Sequence, residues 1–216
     1  MNFHKIDLDT WKRKEIFQHF LNQQTTFSIT TELDITVLYQ NIKQNGYRFY
    51  PAFIFLVTSV VNTNTAFRTS YNSEGELGYW DRLNPVYTIF NVQSKEFSGI
   101  WTQAKKDFKQ FYHDYLSDVE MYNGLGKLFP KTPIPENTVS VSMIPWTSFT
   151  GFNLNIQHNS NHLLPIITAG KFIKKGESIC LPVSLQVHHS VCDGYHAGLF
   201  MNTLQELANR SSDWLK

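Results

Sequence analysis

VHHSVCDGYH, residues 187–196, is the densest cluster of ionisable side chains in the sequence, with two adjacent histidines and an aspartate four positions after the second. The apolar and β-branched run at residues 179–187 predicts a strand that leads into this cluster. The run from Ala197 to Leu207 has apolar residues at helical spacing and predicts a helix that leaves it. Polar, titratable residues at a junction between a strand and a helix are typical of functional sites.

The composition disfavours several classes of protein. The 216 residues are 42% apolar, with 17 Phe, 10 Tyr and 5 Trp, which is enough for one sizeable core. A net charge of +1 and 17% charged residues indicate neither a nucleic-acid surface nor a polybasic membrane segment. Two cysteines without CxxC spacing signal neither a disulfide framework nor a zinc site. Without a secretory signal or a membrane-spanning run, we expect a soluble, cytoplasmic protein that binds no metal.

The remaining segments alternate between helical and strand patterns. The predicted helices begin after Asp9 or Thr10 and after Asp34, and span Ala52–Asn62, which is expected to be buried, and Lys105–Tyr122. The predicted strands are Phe27–Leu33, short runs between Thr69 and Trp101, Val139–Met143, Phe152–Ile156, and a hairpin of residues 166–172 with 179–187. Three prolines make residues 128–137 an irregular loop. The pattern predicts an α/β fold: a single domain over residues 1–216, with a mixed β-sheet and flanking helices.

Arg13 is unusual in the first turn of its predicted helix. The positive end of the helix dipole lies there and disfavours a cation. A specific anionic partner would explain the residue, although a solvated arginine is the commoner outcome.

Three kinds of chemistry fit the central cluster. One histidine could act as a general base on a substrate hydroxyl or thiol, because an imidazole accepts a proton near neutral pH. His188, His189 and Asp193 could ligate a metal, although neighbours on a strand point to opposite faces and HExxH spacing is absent. Cys192 could be a nucleophile, although no local pattern supports it. The histidines could also be satisfied polar residues at a strand end.

The run His189–Gly194 resembles the HxxxDG motif of coenzyme A-dependent acyltransferases, and residues 186–196 are similar to the chloramphenicol acetyltransferase family. Other similar segments follow in order along nearly the whole chain, at residues 11–15, 49–51, 127–130, 135–137, 145–146, 152–155 and 165–168. The resemblance implies the chloramphenicol acetyltransferase-like (coenzyme A-dependent acyltransferase) fold. It also implies transfer of an acetyl group from acetyl-CoA to the primary (C3) hydroxyl of chloramphenicol. Acetyl-CoA would be a co-substrate, and no cofactor would be permanently bound.

By this resemblance His189 is the general base. It would take the proton of the acceptor hydroxyl in a ternary complex, without an acyl-enzyme, and return it to the coenzyme A thiolate. The Nδ1–H of His189 would donate to the backbone carbonyl of the same residue. Asp193 would be a structural residue that pairs with Arg13, and Asn153 would be a further ligand of its carboxylate.

The resemblance also implies which residues surround the reacting atoms. Ser142 would stabilise the oxyanion, and Thr168 would hold a water molecule nearby. Sequence geometry alone leaves Ser140 and Ser148 open as alternatives to Ser142. The implied acceptor pocket consists of Phe20, Phe27, Phe97 and Leu154, and the implied coenzyme A contacts are Pro145, Trp146 and Lys171.

The family is a homotrimer with active sites between subunits. This implies that the base comes from one protomer and much of the acceptor pocket from its neighbour. Phe20 and Phe27 would then lie against the His189 of another chain. Two alternatives stay open: a related acyltransferase with another hydroxyl acceptor, and a non-catalytic small-molecule binder that kept the fold.

Overall fold

Ten strands and five α-helices make up the described part of the chain, which in this computed structural model comprises residues 2–154 and 162–215. The strands are β1 (Phe3–Lys5), β2 (Thr26–Asp34), β3 (Thr69–Tyr71), β4 (Leu77–Trp80), β5 (Asn84–Phe90), β6 (Phe97–Trp101), β7 (Thr138–Met143), β8 (Ile166–Ala169), β9 (Ile173–Lys175) and β10 (Ser178–His188). The helices are α1 (Lys14–Asn22), α2 (Thr36–Gln44), α3 (Phe49–Val61), α4 (Phe108–Tyr122) and α5 (Gly194–Asn209), with short 3-10 helices at Thr65–Arg68 and Ser211–Asp213.

The strands form two sheets. The larger has the order β2-β10-β8-β7-β5-β6, and β9 also pairs with β10. Strand β7 runs parallel to β8 and β5, whereas the other pairs of this sheet are antiparallel. The smaller sheet, β1-β4-β3, is antiparallel. The predicted α/β class, with a mixed sheet and flanking helices, is confirmed.

One face of the larger sheet is apolar and packs in the core. Val183, Leu185 and Val187 of β10 are at most 2% exposed. Helix α3 is buried along most of its length and contacts β5, β7, α4 and α5. Its burial on nearly all sides confirms the buried helix that the sequence predicts there. Even this helix falls short of what a membrane crossing needs, and the same holds for every other helix of the described residues.

The opposite face of the sheet carries a row of hydroxyl groups. Ser142, Thr168, Ser184 and Thr30 are register partners on β7, β8, β10 and β2, so their side chains lie side by side on one face. Thr168 and Ser184 are each 2% exposed. Buried hydroxyls need hydrogen-bond partners inside the protein, so the hydroxyls of this row are expected to bind neighbouring protein groups.

The first helix begins later than the sequence predicts. Neither Asp9 nor Thr10 caps it, because α1 begins at Lys14 with Arg13 as its N-cap residue. The carboxylate of Asp7 instead accepts the N–H of Asp9 at 3.0 Å and the hydroxyl of Thr10 at 3.0 Å. These bonds make a separate turn ahead of the helix, and Arg13 makes no capping bond with its side chain.

Two other helices begin close to their predicted starts. Asp34 lies two residues before α2, and its carboxylate accepts the backbone N–H of Thr36 at 2.9 Å. Helix α4 begins at Phe108 and not at Lys105, because the carboxylate of Asp107 caps it by accepting a first-turn N–H at 2.8 Å.

The strand predicted at Phe152–Ile156 is wrong in its described part. Residues 152–154 have no regular secondary structure, and residues 155–156 lie outside the described residues. The neighbouring positions on β10 are already paired with β2 and β8, so that no ladder position is available to this segment. Side chains of the sheet bind its backbone in place of a ladder.

The buried helix α3 should dominate stability, and the same substitution at two isoleucines tests this. Ile54 of α3 is fully buried, whereas Ile16 of α1 is 44% exposed. Ile54→Ala should lower the free energy of unfolding by about 2–5 kcal/mol through the cavity it leaves. Ile16→Ala should change it by less than about 1 kcal/mol. Urea unfolding measures both, and equal losses would contradict the assigned burial.

Candidate active site

The HxxxDG corner, residues 189–194, is the turn between β10 and α5. The backbone N–H of His189 donates to the carbonyl of Thr25 at 2.8 Å, which extends the pairing with β2 by one residue. Asp193 is the N-cap of α5, and its Oδ1 accepts two backbone N–H groups of the first turn at 3.1 and 3.4 Å. A carboxylate here satisfies unpaired N–H groups and complements the helix dipole. The aspartate of the motif therefore starts the helix.

Arg13 connects the beginning of α1 to this corner. Its Nη1 lies 2.9 Å from Asp193 Oδ2, its Nε donates to the carbonyl of Ser190 at 2.8 Å, and its Nη2 donates to the carbonyl of His189 at 3.2 Å. The side chains of Arg13 and Asp193 are 17% and 33% exposed, so the pair is largely shielded from solvent. Arg13 therefore has the anionic partner that would explain its place at the start of a helix.

Asp193 is held as an anion. Partial burial acts against its ionisation, but the hydrogen bond from Arg13 and the contact with His196 hold the pKa of this carboxyl well below its usual range. His196 Nδ1 lies 2.8 Å from Asp193 Oδ1. His196 was not among the residues predicted from the sequence to have a role, although its i, i+3 spacing from Asp193 is a signal of contact on a helix. The contact proposed between Asn153 and this carboxylate stays a prediction.

Aromatic rings fix the imidazole of His189. The ring of Phe20, from α1, stacks on it with centroids 3.8 Å apart and planes 4° apart, and Phe27, from β2, makes an edge contact at 5.2 Å. His189 Nδ1 is buried and has no hydrogen-bond partner within the described residues. The predicted bond from Nδ1–H to the carbonyl of the same residue is therefore wrong for this structure. That oxygen accepts from Arg13 instead.

Phe20 and Phe27 contact the His189 of their own chain. The prediction that they would lie against the His189 of another chain is therefore wrong. The reason is strand register: His188 is opposite Thr26 on β2, which places Phe27 beside the corner. Phe20 follows because Arg13 holds its helix against the same corner.

His188 and Cys192 are poorly suited to catalysis. His188 is buried with Nδ1 2.7 Å from the Ser190 hydroxyl, and burial, then the neighbouring His162 and His189, lower its pKa. Cys192 is 1% exposed, and burial raises the pKa of its thiol to about 12, which disfavours the nucleophilic thiolate. The described residues contain no group of three His, Cys, Asp or Glu placed to hold a metal ion. His189 remains the candidate base of the motif.

A cavity of about 660 Å³ lies at the Ser142–Thr168 end of the hydroxyl row. Ser142 and Thr168 both line it, with their hydroxyl oxygens 2.9 Å apart. The structure also brings four other predicted site residues to its lining: Phe97, Leu154, Pro145 and Trp146. The candidate oxyanion residue, two candidate acceptor residues and two candidate coenzyme A residues thus share one apolar cavity, whereas Phe20 and Phe27 do not line it.

The predicted coenzyme A contact Lys171 and the two alternative serines are not part of this lining either. Lys171 is exposed, and its backbone N–H donates to the carbonyl of Thr147 at 2.8 Å. Ser140 and Ser148 are exposed as well, and only Ser142 of the three serines lines the cavity. The structure therefore separates serines that the strand pattern alone leaves equivalent.

Several residues that line the cavity were not among the predicted site residues. Tyr50, Thr88, Tyr115 and Phe152 line it. Burial raises the pKa of Tyr50 to about 12, against the lowering effect of a hydrogen bond with Thr88, so that its phenol is a hydrogen-bond donor at neutral pH. Tyr50 lies within the similar segment 49–51, which is the one signal that could have pointed to it.

His189 and Ser142 lie in different parts of the same sheet. Ser142 shares a register row with Thr168 and Ser184, and His189 is five residues beyond Ser184 along the chain. At about 3.3 Å per residue, they are roughly 16 Å apart along the strand direction, besides being two strands apart. One chain therefore carries two separate half-sites, the base half-site (His189 with Phe20 and Phe27) and the hydroxyl half-site (Ser142, Thr168 and the cavity).

Removing the anion of the Arg13–Asp193 pair should destabilise the protein in a pH-dependent way. Asp193→Asn should lower the free energy of unfolding by about 2–3 kcal/mol at pH 7, less than a fully buried pair because solvent screens it. The pKa of Asp193 is lower in the folded than in the unfolded protein, so acid protonates the unfolded chain first and this stabilisation declines below about pH 4–5. Urea unfolding at pH values from 7 to 3 should show the free energies of unfolding of the wild type and Asp193→Asn converging. A pH-independent difference would contradict the ion pair.

Comparison with known proteins agrees with this architecture. A family model described as "Chloramphenicol acetyltransferase" matches residues 1–205. Two Staphylococcus aureus proteins named chloramphenicol acetyltransferase are 79% and 54% identical to this chain over 215 residues, in each case covering 100% of both chains. A solved structure of a chloramphenicol acetyltransferase shares the fold, with a TM-score of 0.88 at 23% identity, covering 96% of this chain and 100% of that one. The chain therefore belongs to the chloramphenicol acetyltransferase family.

Proposed function

We propose that this chain transfers the acetyl group of acetyl-CoA to the primary (C3) hydroxyl of chloramphenicol and thereby inactivates the antibiotic. The observation that carries the proposal is the 79% identity, over 100% of both chains, to a Staphylococcus aureus protein named chloramphenicol acetyltransferase. The cavity of about 660 Å³ supports it, because its apolar and aromatic lining suits a nitrophenyl ring and a dichloroacetyl group.

His189 is the base in this proposal. Its Nε2 accepts the proton of the acceptor hydroxyl as the hydroxyl oxygen bonds to the thioester carbon. The carbon–sulfur bond then breaks, and the same proton passes to the coenzyme A sulfur. The transfer is direct within a ternary complex, and the high pKa of Cys192 supports a route without an acyl-enzyme. The stacked face of Phe20 favours the transient imidazolium through a cation–π contact.

Ser142 donates a hydrogen bond to the oxyanion of the tetrahedral intermediate. Charge develops on that oxygen only as the reaction proceeds, so that a donor aimed at it stabilises the transition state more than the substrate. The contact of 2.9 Å with Thr168 supports this role, because it orients the Ser142 hydroxyl. Thr168 would also hold a water molecule near the intermediate.

The complete site requires two copies of the chain. His189 and Ser142 of one copy are roughly 16 Å apart along the strand direction, which is too far for both to act on the same reacting atoms. We therefore propose a homotrimer, in which each site combines the base half-site of one copy with the hydroxyl half-site of the next, giving three equivalent sites in a closed ring. Phe97 and Trp146 support an interface beside the cavity, because these large apolar residues are 58% and 62% exposed in the single chain.

Chloramphenicol-dependent thiol release from acetyl-CoA tests the reaction and the base together. Wild-type protein should release thiol only when chloramphenicol is present, and His189→Ala should lower kcat by about 100- to 10,000-fold while chloramphenicol still binds. His113 is a matched control, because its side chain is 83% exposed on α4 and its replacement by alanine should leave kcat unchanged.

Two outcomes would contradict the proposal in different ways. Wild-type protein without acceptor-dependent thiol release would refute the reaction. Lost chloramphenicol binding in His189→Ala, measured by calorimetry, would mean that the histidine is structural and not the base.

Mixing two inactive variants tests whether sites lie between copies. Ser142→Ala alone should lower kcat by about 100- to 1,000-fold through the lost oxyanion donor. Refolding an equal mixture of His189→Ala and Ser142→Ala chains should recover about one quarter of the wild-type activity, since a quarter of randomly formed interfaces join two intact half-sites. A mixture no more active than the average of its two parents would show that both groups act from the same chain.

A further inference from the structure

An irregular segment forms part of the cavity wall. Residues 147–154, here called the wall segment, follow β7 and cross the polar face of the sheet without regular secondary structure. Phe152 and Leu154 of this segment line the cavity together with Ser142 and Thr168. The position of its backbone therefore sets the width of the space beside the hydroxyl pair.

Gln186 of β10 binds the last described residue of the wall segment at two points. Its Oε1 accepts the backbone N–H of Leu154 at 2.7 Å, and its Nε2 donates to the carbonyl of Leu154 at 2.8 Å. The side-chain amide thus replaces the strand neighbour that this segment lacks. Gln186 is 5% exposed, so solvent cannot easily substitute for either bond.

Two residues of the hydroxyl row hold the segment two positions earlier. The Ser184 hydroxyl donates to the carbonyl of Phe152 at 2.5 Å, and the N–H of Phe152 donates to the Thr30 hydroxyl at 3.3 Å. At its other end the segment is held by the backbone bond from Lys171 to Thr147, at 2.8 Å. Side chains of β10 and β2 are therefore the anchors on the side nearest Leu154.

Apolar packing does not explain the placement of Leu154. Its side chain is 45% exposed, so burial contributes little to its position. The other wall of the cavity does not depend on Gln186. Pro145 and Trp146 follow Ile144, whose N–H donates to the carbonyl of Ala169 at 2.8 Å, and Trp146 contacts the ring of Phe90 at 4.8 Å.

We infer that Gln186 is a positioning residue that sets the affinity for the acceptor by holding Leu154 against the cavity. The inference rests on the proposed function, in which Leu154 contacts the acceptor and Pro145 and Trp146 contact coenzyme A. Because the two walls are anchored separately, loss of the Gln186 bonds affects the acceptor and spares acetyl-CoA. Gln186 touches neither the reacting atoms nor the base, so that kcat depends on it little.

Gln186→Met tests this, because methionine has nearly the same shape and forms neither bond. The KM for chloramphenicol should rise about tenfold, the loss expected from one or two buried hydrogen bonds. The kcat and the KM for acetyl-CoA should stay within about twofold of wild type. Ser184→Ala, which removes the bond to Phe152, should also raise the KM for chloramphenicol, by about threefold. This variant replaces Gln186→Met as the test if Gln186→Met does not fold.

Gln205 provides the matched control. Its side-chain amide binds the N–H and the carbonyl of Asp34 at 2.9 and 2.8 Å, the same two-point contact at a place that does not line the cavity. Gln205→Met should lower thermal stability and leave both KM values unchanged.

The outcomes separate this inference from the proposed function. An unchanged KM for chloramphenicol in a folded Gln186→Met protein, or equal rises for both substrates, would overturn the inference. An equal rise in Gln205→Met would overturn it as well, because general loosening would then explain the effect. If wild-type protein acetylates another hydroxyl compound and not chloramphenicol, the proposed substrate fails, and the same KM comparison is made with that acceptor.

Discussion

The contact of Arg13 with the HxxxDG corner is the interaction on which the base half-site depends. A single guanidinium binds one carboxylate and two backbone carbonyls, a combination that the one ammonium group of a lysine cannot reproduce. It fixes the turn after β10, and it also fixes α1 against that turn. Because α1 carries Phe20, the same contact determines which ring stacks on His189. The helix cap, the turn and the aromatic support of the base thus all depend on the same guanidinium contact.

The fold class and the motif could be predicted from local patterns. Alternation along β2 and β7 and the apolar run of α3 are properties of short segments, and the structure has these elements close to where the patterns put them. The family resemblance named Asp193 as the partner of Arg13, but the misfit of Arg13 with its helix dipole already offered an anionic partner as one of two outcomes. That inference needed only the chemistry of one residue at one position.

The predictions that failed depended on which groups compete for a partner. Asp9 and Thr10 are good capping residues, but the Asp7 carboxylate accepts the Thr10 hydroxyl and the Asp9 carboxylate pairs with Lys14. Residues 152–154 alternate like a strand, but the neighbouring part of β10 already has two strand partners. The carbonyl of His189 was expected to accept from its own ring, but it accepts from Arg13. The last two cases involve groups that are distant along the chain, and such competition leaves no trace in the local sequence.

Strand order and register explain the other features of the site that could not be predicted from the sequence. Ser140 and Ser142 lie on one strand face and are distinguished only by the position of the cavity. The placement of Phe20 and Phe27 depends on the register of β2 with β10. The two half-sites follow from the same register, since Ser142 is aligned with Ser184 and not with His189.

A paired strand, and not a flexible loop, links Ser184 to the HxxxDG corner. Inserting one residue there would turn the following side chains to the opposite face and move His189 by about 3.3 Å. The length of β10 between Ser184 and His188 is therefore constrained by the placement of the base. Side-chain substitutions in residues 147–154 change the cavity wall but leave the length of β10, and with it the position of His189, unchanged.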